Sequence, residues 1–570
     1  MGEITNGGSL LITGGTVVDG TGRPGVAADV RVKDGRIVEV GPRLSPAGEQ
    51  VIDATGCIVA PGFIESHAHV DPQLFWDPFC DPVPQHGVTT VLAGNCSLSL
   101  FPVNESMGSA ATALFALIED MPLGAMRDHI PWTWTHYEGY RDALAAQGLG
   151  VNIATMVGHT LLRWFVMGEA AWERAATTDE VTRMCEVLDL SIQQGAFGLS
   201  TSFTDKDDRG RYVPPVHATD EEFSALIEVL AQHDAILEFV PNLSGGTAEE
   251  DIERMARLTK PFGVVSTWNT VADSKRAPER AGRFLAQATR LQADGVKMFP
   301  QGTPRTFDLR ISWERSVLFT EMPNSWNRVI PARGDDKIAL LRSAEWREVA
   351  RAEWDAAKLS PFPTWDISRL RLLTVTRPEN EVWMGKTLAD LVAARGGHPS
   401  DVMADWILEN DLDPGVIAVG VTNDNPEKVG AILAHPATIV GASDVGAHVA
   451  MFCAAGDSTL LLTRHVRERG DLTIEQAIWK LTGQLAENLR FTDRGVVAPG
   501  KVADLVVFDL DELHWDQDVV VYDLPENGMR LRRPEGGYRH TILSGHIVQS
   551  GGTLTGARPG RPIGLSSVGA

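Results

Sequence analysis

Eight short apolar runs punctuate the middle of this chain: FIESHAHV, TTVLAGNC, NIATMVG, AFGLSTS, AILEFV, FGVVSTWN, GVKMFPQ and TIVGASD. Helix-like stretches such as TDEEFSALIEVLAQH and EEDIERMARLTK lie between many of them. Strands alternating with helices build a parallel sheet, and eight such strands can close on themselves. The pattern therefore predicts an α/β chain built on a (β/α)₈ barrel, with an open doubly wound sheet as the alternative.

The two ends have a different texture. SLLITGGTVVDG, DVRVKDGRIVEVG and QVIDATGCIVAPG are β-branched runs broken by glycine turns, and ADLVVFDLD and RHTILSGHIVQSGG repeat that texture near the other end. Such runs read as hairpins. They predict one discontinuous β-sandwich domain, residues 9–60 plus 495–555, around a barrel domain at 61–494. Residues 303–400 interrupt the alternation and hold Trp313, Trp326, Trp346, Trp354, Trp365 and Trp383. This stretch reads as an insertion: a lid or wall over the barrel mouth, or else an extra packing layer or an oligomer contact.

Bulk properties narrow the partners. At 570 residues the chain is long for one domain, but barrels run long as single units. A net charge of -24 argues against nucleic acid or an anionic membrane as partner, since both need a basic patch. A small-molecule substrate and a homo-oligomer both remain compatible with it. Cys57, Cys80, Cys96, Cys185 and Cys453 are sparse and odd in number, which fits a reducing, cytoplasmic setting. MGEITNGGSLLITGG lacks the basic start and apolar core of a signal peptide, and GRPIGLSSVGA reads as a disordered small-residue tail.

The residues with chemical potential fall at the ends of the apolar runs. His67 and His69 close the first one, in PGFIESHAHVDP. On a strand, residues i and i+2 share a face, so both imidazoles can meet one cation. In a chain with 15 histidines the bare spacing is weak. Its place at a strand end, where barrel active sites lie, gives it weight. Cys96 ends the second run and Asp444 ends TIVGASD. Thiolate and imidazole together select zinc. A carboxylate at the last strand can hold the metal, take a proton from its water and pass it to a leaving nitrogen. A buried apolar cysteine and a helix-capping aspartate are the bland alternatives for those two. His159, in VGHTLLRWFVMG, reads as a metal ligand, a substrate contact or a donor behind the ligands, and Arg163 can receive a substrate carboxylate; a loop histidine and a surface arginine are the bland alternatives. Gln301 and Arg305 follow a strand end and can touch substrate, as can His448.

PGFIESHAHVDPQLFWDP, HGVTTVLAGNCSLSLFPV, VGHTLLRWFVMG, GAFGLSTS, VGASDVGAHVAMFC and DRGVVAPGKVADLVVFDLDEL follow one another in order. Together they resemble the D-aminoacylase (N-acyl-D-amino-acid deacylase) branch of the amidohydrolase superfamily, over about residues 9 to 555. The resemblance implies a distorted TIM barrel with a small β-sandwich built from both termini. It also implies hydrolysis of amide or related C–N bonds with one or two metal ions, usually zinc. In that pattern His67, His69 and Asp444 hold one metal and Cys96 helps to hold the other.

One departure stands out. The family pattern places a histidine at the end of strand five and another at strand six, but this chain has none between His233 and His398. Pro241, Asn242, Trp268 and Asn269 stand near those places. One zinc ion is therefore expected, two being possible; a carbamate on Lys206 is the other route to a pair, although DKDDRGR reads as a solvated loop. The expected reaction is hydrolysis of a linear N-acyl-amino-acid amide. The alternatives are a cyclic amide, imide, lactam or ester hydrolase on the same site, or a non-catalytic binding or assembly protein of this fold.

Overall fold

The structure, a computed structural model, describes residues 9–243, 245–275, 277–311, 313, 324–356 and 366–565. Its centre is a succession of strands: Phe63–Glu65, Val88–Ala93, Asn152–Thr155 (resuming at Val157–Gly158), Gly198–Ser202, Ile236–Val240, Ser266–Trp268, Met298–Gly302 and Ile439–Val440. They are numbered one to eight below. Each pairs in parallel with the next. Just past strands eight and one, Val445 and Ala68 form a further parallel bridge, which joins the last strand to the first.

The apolar runs form these strands because both of their faces are covered. Every residue of strands two, four and five is buried. Outside, the helix Asp220–Gln232 starts at Thr219, whose side chain accepts the Glu222 N–H, and it buries Phe223, Leu226, Ile227 and Leu230. That is the stripe an amphipathic helix lays on a sheet. On the other side, Ile64, Leu92, Ala154, Ile236 and Ile439 gather with Phe491 and Ile563 in one apolar cluster. Residues from strands one, two, three, five and eight thus share one apolar cluster.

The terminal strands form two further sheets. Leu505–Phe508 lies antiparallel to Ile58–Pro61, so a C-terminal strand completes a sheet begun near the N-terminus. Leu10, Ile12, Val30, Val32, Val59, Leu505 and Ile542 share one apolar core between the sheets. Between strands seven and eight the chain builds an antiparallel sheet from Phe307–Ile311, Val416–Thr422 and Leu370–Leu372. Its middle strand, Val416–Thr422, lies beyond residue 400. Trp326 packs against Trp313, Trp346 and Trp354 at ring separations of 5.3, 5.0 and 5.9 Å. Trp365 lies outside the described residues.

The expected disordered tail needs correction over its described part. Gly560 pairs with Leu149 and Pro562 with Ile153, and Ile563 N donates to Ile153 O at 2.8 Å. Small residues let this backbone lie flat along strand three, and Ile563 closes the inner apolar cluster. Among the described residues no helix is long and apolar enough to cross a membrane.

Lys480 sits beneath strand eight with only 3% of its surface exposed, and Nζ donates to Thr438 O at 3.1 Å. Burial lowers its pKa from 10.5 to about 8. Below pH 8 the folded chain carries a buried charge at a cost; between pH 8 and the unfolded value it sheds that proton first, so stability rises with pH. Lys480→Met is expected to flatten this rise between pH 8 and 10 by on the order of 2 kcal/mol. Urea denaturation of parent and variant across that range measures it, and parallel pH profiles would contradict it.

Candidate active site

Strand one runs on beyond Glu65 into His67, Ala68 and His69. Ala68 N donates to Leu92 O of strand two at 3.0 Å, and His69 N to Val445 O at 2.7 Å. The segment therefore stays extended between strand two and the loop after strand eight. Extended backbone sends i and i+2 to one side, and the two imidazole rings lie 5.4 Å apart at 64°. Gly446 packs on this segment at φ +93°, and a Cβ there would come within 2.8 Å of the His69 carbonyl carbon. Only glycine permits both the conformation and the approach.

Two other strand ends reach the pair. Cys96 Sγ lies 3.3 Å from His67 Nε2. Asp444 Oδ1 lies 3.1 Å from His67 Nε2 and 3.9 Å from His69 Nε2. Donor atoms of His67, His69 and Cys96 all fall within 4.8 Å of one another. Cys96, Asp444 and His448 have φ of 54°, 62° and 50°, in the left-handed region. Non-glycine residues there cost about 1 to 3 kcal/mol each and gather where a site dictates the backbone.

Electrostatics prepares these groups for a cation. Burial lowers the pKa of His69 to about 3, so it stays neutral with a lone pair available. Burial opposes the charge on Asp444, but the hydrogen bond and charge of His67 outweigh it and hold the carboxyl well below the usual range. His67 is raised in turn: burial opposes its charge and Asp444 outweighs burial. Burial, then the nearby Glu238, push the Cys96 thiol well up, so a thiolate there needs a cation beside it. His67 Nδ1 and both His69 nitrogens are buried without a hydrogen-bond partner. Buried polar atoms are rarely left so. Two imidazoles, a thiol and a carboxylate fit a zinc ion.

The other candidate residues divide. His448 stays at the mouth, its Nε2 3.9 Å from Glu119. His159 and Arg163 lie in an internal charge network. Both are fully buried, His159 Nε2 meets Glu222 at 2.9 Å, and Arg163 donates to the same carboxylate and to Arg174 O. Gln301 is also committed internally, accepting from Ala442 N at 2.7 Å and donating to Thr267 at 3.1 Å. Arg305 is sandwiched between the Phe307 and Phe452 rings and donates to the carbonyls of Ser443 and Cys453. Such placement makes Gln301 and Arg305 braces of the strand seven and eight ends. Lys206 is exposed, its ammonium over the Tyr212 ring.

Sequence reasoning missed two buried carboxylates. Glu238, in the middle of strand five, accepts the Cys96 N–H at 3.0 Å, and its other oxygen has no partner. A lone charge inside AILEFV was the available signal. Glu119 Oε1 lies 3.4 Å from His69 Nδ1, and no local motif marked it. At the end of strand six, Asn269 Nδ2 stands 3.9 Å from Cys96 Sγ, while Trp268 is buried against Phe284.

Comparison with known proteins gives the following. The model of the amidohydrolase family matches residues 50–549. A protein of Mycobacterium tuberculosis is 30% identical over 577 residues, covering 96% of this chain and 92% of its own. The D-aminoacylase of Alcaligenes xylosoxydans xylosoxydans is 28% identical over 509 residues, 88% of each chain. A solved D-aminoacylase, described with a binuclear metal centre showing one-metal activation and second-metal attenuation, superposes with a TM-score of 0.67 at 26% identity, over 98% of this chain and 100% of its own.

Proposed function

This chain belongs to the amidohydrolase family, in its D-aminoacylase branch, and is a hydrolase of C–N bonds other than peptide bonds; from that premise we propose that it deacylates N-acyl-D-amino acids at a centre holding one zinc ion. The observation that carries this reading is the convergence of His67, His69, Cys96 and Asp444 from the ends of strands one, two and eight. His67, His69 and Asp444 would hold the ion, with Cys96 beside or on it. Strands five and six offer Glu238, Trp268 and Asn269 rather than imidazoles, which supports one tightly held ion rather than two.

Zinc in such a set lowers the pKa of a water toward about 7 and polarises a carbonyl oxygen. The chain's own groups do the rest. Asp444 is ionised at neutral pH and about a quarter exposed toward the mouth, so it can accept the proton of the attacking water. The water oxygen bonds to the acyl carbon, the C–N bond breaks, and Asp444 returns the proton to the leaving nitrogen. The products are a carboxylic acid and a free amino acid. His67 and His69 keep their donor atoms in place through the strand one ladder.

On the same reading, the eight parallel strands are the distorted (β/α)₈ barrel at 61–494, and the terminal sheets form one small β-sandwich from 9–60 and 495–555. All five cysteines are free thiols, which supports a reducing, cytoplasmic setting. The test is a panel of N-acyl-D-amino acids, their L-isomers and cyclic amides, run with zinc-loaded and chelator-stripped protein. Deacylation of D-substrates that disappears on stripping and returns with zinc is expected. Protein without stoichiometric metal and without turnover of any panel member would overturn the reading.

A further inference from the structure

The helix Gly108–Ile118, between strands two and three, ends at Glu119. Phe115 and Glu119 are four residues apart and so share one helical face. That face meets the metal-site histidine. The Phe115 ring lies edge-on to His69, with centroids 6.3 Å apart at 76°. Glu119 Oε1 approaches His69 Nδ1 to 3.4 Å, ion-pair reach just short of a formed hydrogen bond. Its Oε2 lies 3.9 Å from His448 Nε2, and its carbonyl accepts the His448 N–H at 2.6 Å.

Only 3% of Glu119 is exposed, and among the described residues its ion-pair contacts are His69 and His448, neither a lysine nor an arginine. A buried carboxylate without a cationic partner is costly. Nothing in the packing of the helix calls for one: a leucine or methionine at its end would bury at no such cost. What the position does supply is an acceptor aimed at the one His69 nitrogen that faces away from Asp444.

We propose that Glu119 is a positioning residue of the metal centre, accepting the Nδ1 proton of His69 in a hydrogen bond so that Nε2 keeps its lone pair toward Asp444, and fixing His448 over the mouth through the same carboxylate. Neutral imidazole has one proton for two nitrogens, and the hydrogen bond made by one nitrogen decides which is free to bind. Outer partners of this kind hold ring orientation as well as tautomer. The assignment rests on the metal-centre reading above and adds to it a residue outside the donor set.

Glu119→Ala and Glu119→Gln test it through zinc affinity, measured by competition with a chelator, and the melting temperature of the stripped protein. Alanine is expected to weaken zinc about 10- to 100-fold. Glutamine keeps an acceptor oxygen and should lose less. The stripped variants should melt no lower than the stripped parent, because an unpaired buried carboxylate has been removed. Zinc held within twofold of the parent by both variants would overturn the proposal. So would an affinity loss accompanied by a matching fall in melting temperature, since that marks a purely structural residue. A parent that binds no zinc would instead refute the metal-centre reading itself.

Discussion

Replacing Asp444 with asparagine is expected to lower kcat by about 10³-fold or more while the fold survives. Asparagine fills the same space and keeps an oxygen toward His67, but it cannot take a proton from water or return one to a leaving nitrogen. The residue lies in a loop after strand eight with part of its side chain exposed, so no buried apolar contact is lost. The variant should melt close to the parent. Its zinc should be weaker, because an amide is a poorer ligand than a carboxylate. Steady-state rates at saturating zinc separate the two effects. A kcat within tenfold of the parent at full metal occupancy would show that another group moves the proton.

The second large effect lies in the network around Glu222. Glu222 is the shared partner of His159 and Arg163, and all three side chains are buried. Burial opposes its charge, but His159 and Arg163 outweigh burial and hold the carboxyl below its usual range. A depressed carboxyl stabilises the fold above its unfolded value and loses that contribution as pH falls through its folded one. Glu222→Gln leaves the buried Arg163 guanidinium without its counter-charge, and breaking a buried pair from one side costs about 3 to 5 kcal/mol. Equilibrium urea denaturation at pH 7 should show that loss. Removing both charges, with Glu222→Met and Arg163→Met together, should recover much of it. A single variant within 1 kcal/mol of the parent would mean that solvent reaches the pair.

Much of the centre was legible because its physics is local. A strand covered on both faces is an apolar run, so the eight strands stand out in the sequence. His67 and His69 are paired by strand periodicity alone, and Cys96 and Asp444 are found by asking what ends the neighbouring runs. What escaped depends on distant chain. Glu119 meets His69 across 50 residues through a helix whose docking no local pattern specifies. Arg163 and His159 look like loop residues until the helix Asp220–Gln232 brings Glu222 over them. Val416–Thr422 is a plain β-branched run, but its membership of the insertion depends on pairing with Phe307–Ile311 more than 100 residues earlier. The tail at 560–565 is glycine-rich, and its backbone bonds to strand three, with Ile563 in an apolar cluster, order it.

The central claim is that one metal ion sits on the histidine pair of strand one. Anomalous diffraction from zinc-loaded crystals, collected on both sides of the zinc absorption edge, tests it most directly. The account predicts one strong peak bounded by His67, His69 and Asp444, with Cys96 beside it, and no second peak of comparable height toward Glu238 and Asn269. Two peaks of equal strength, or a peak away from His67 and His69, would contradict it.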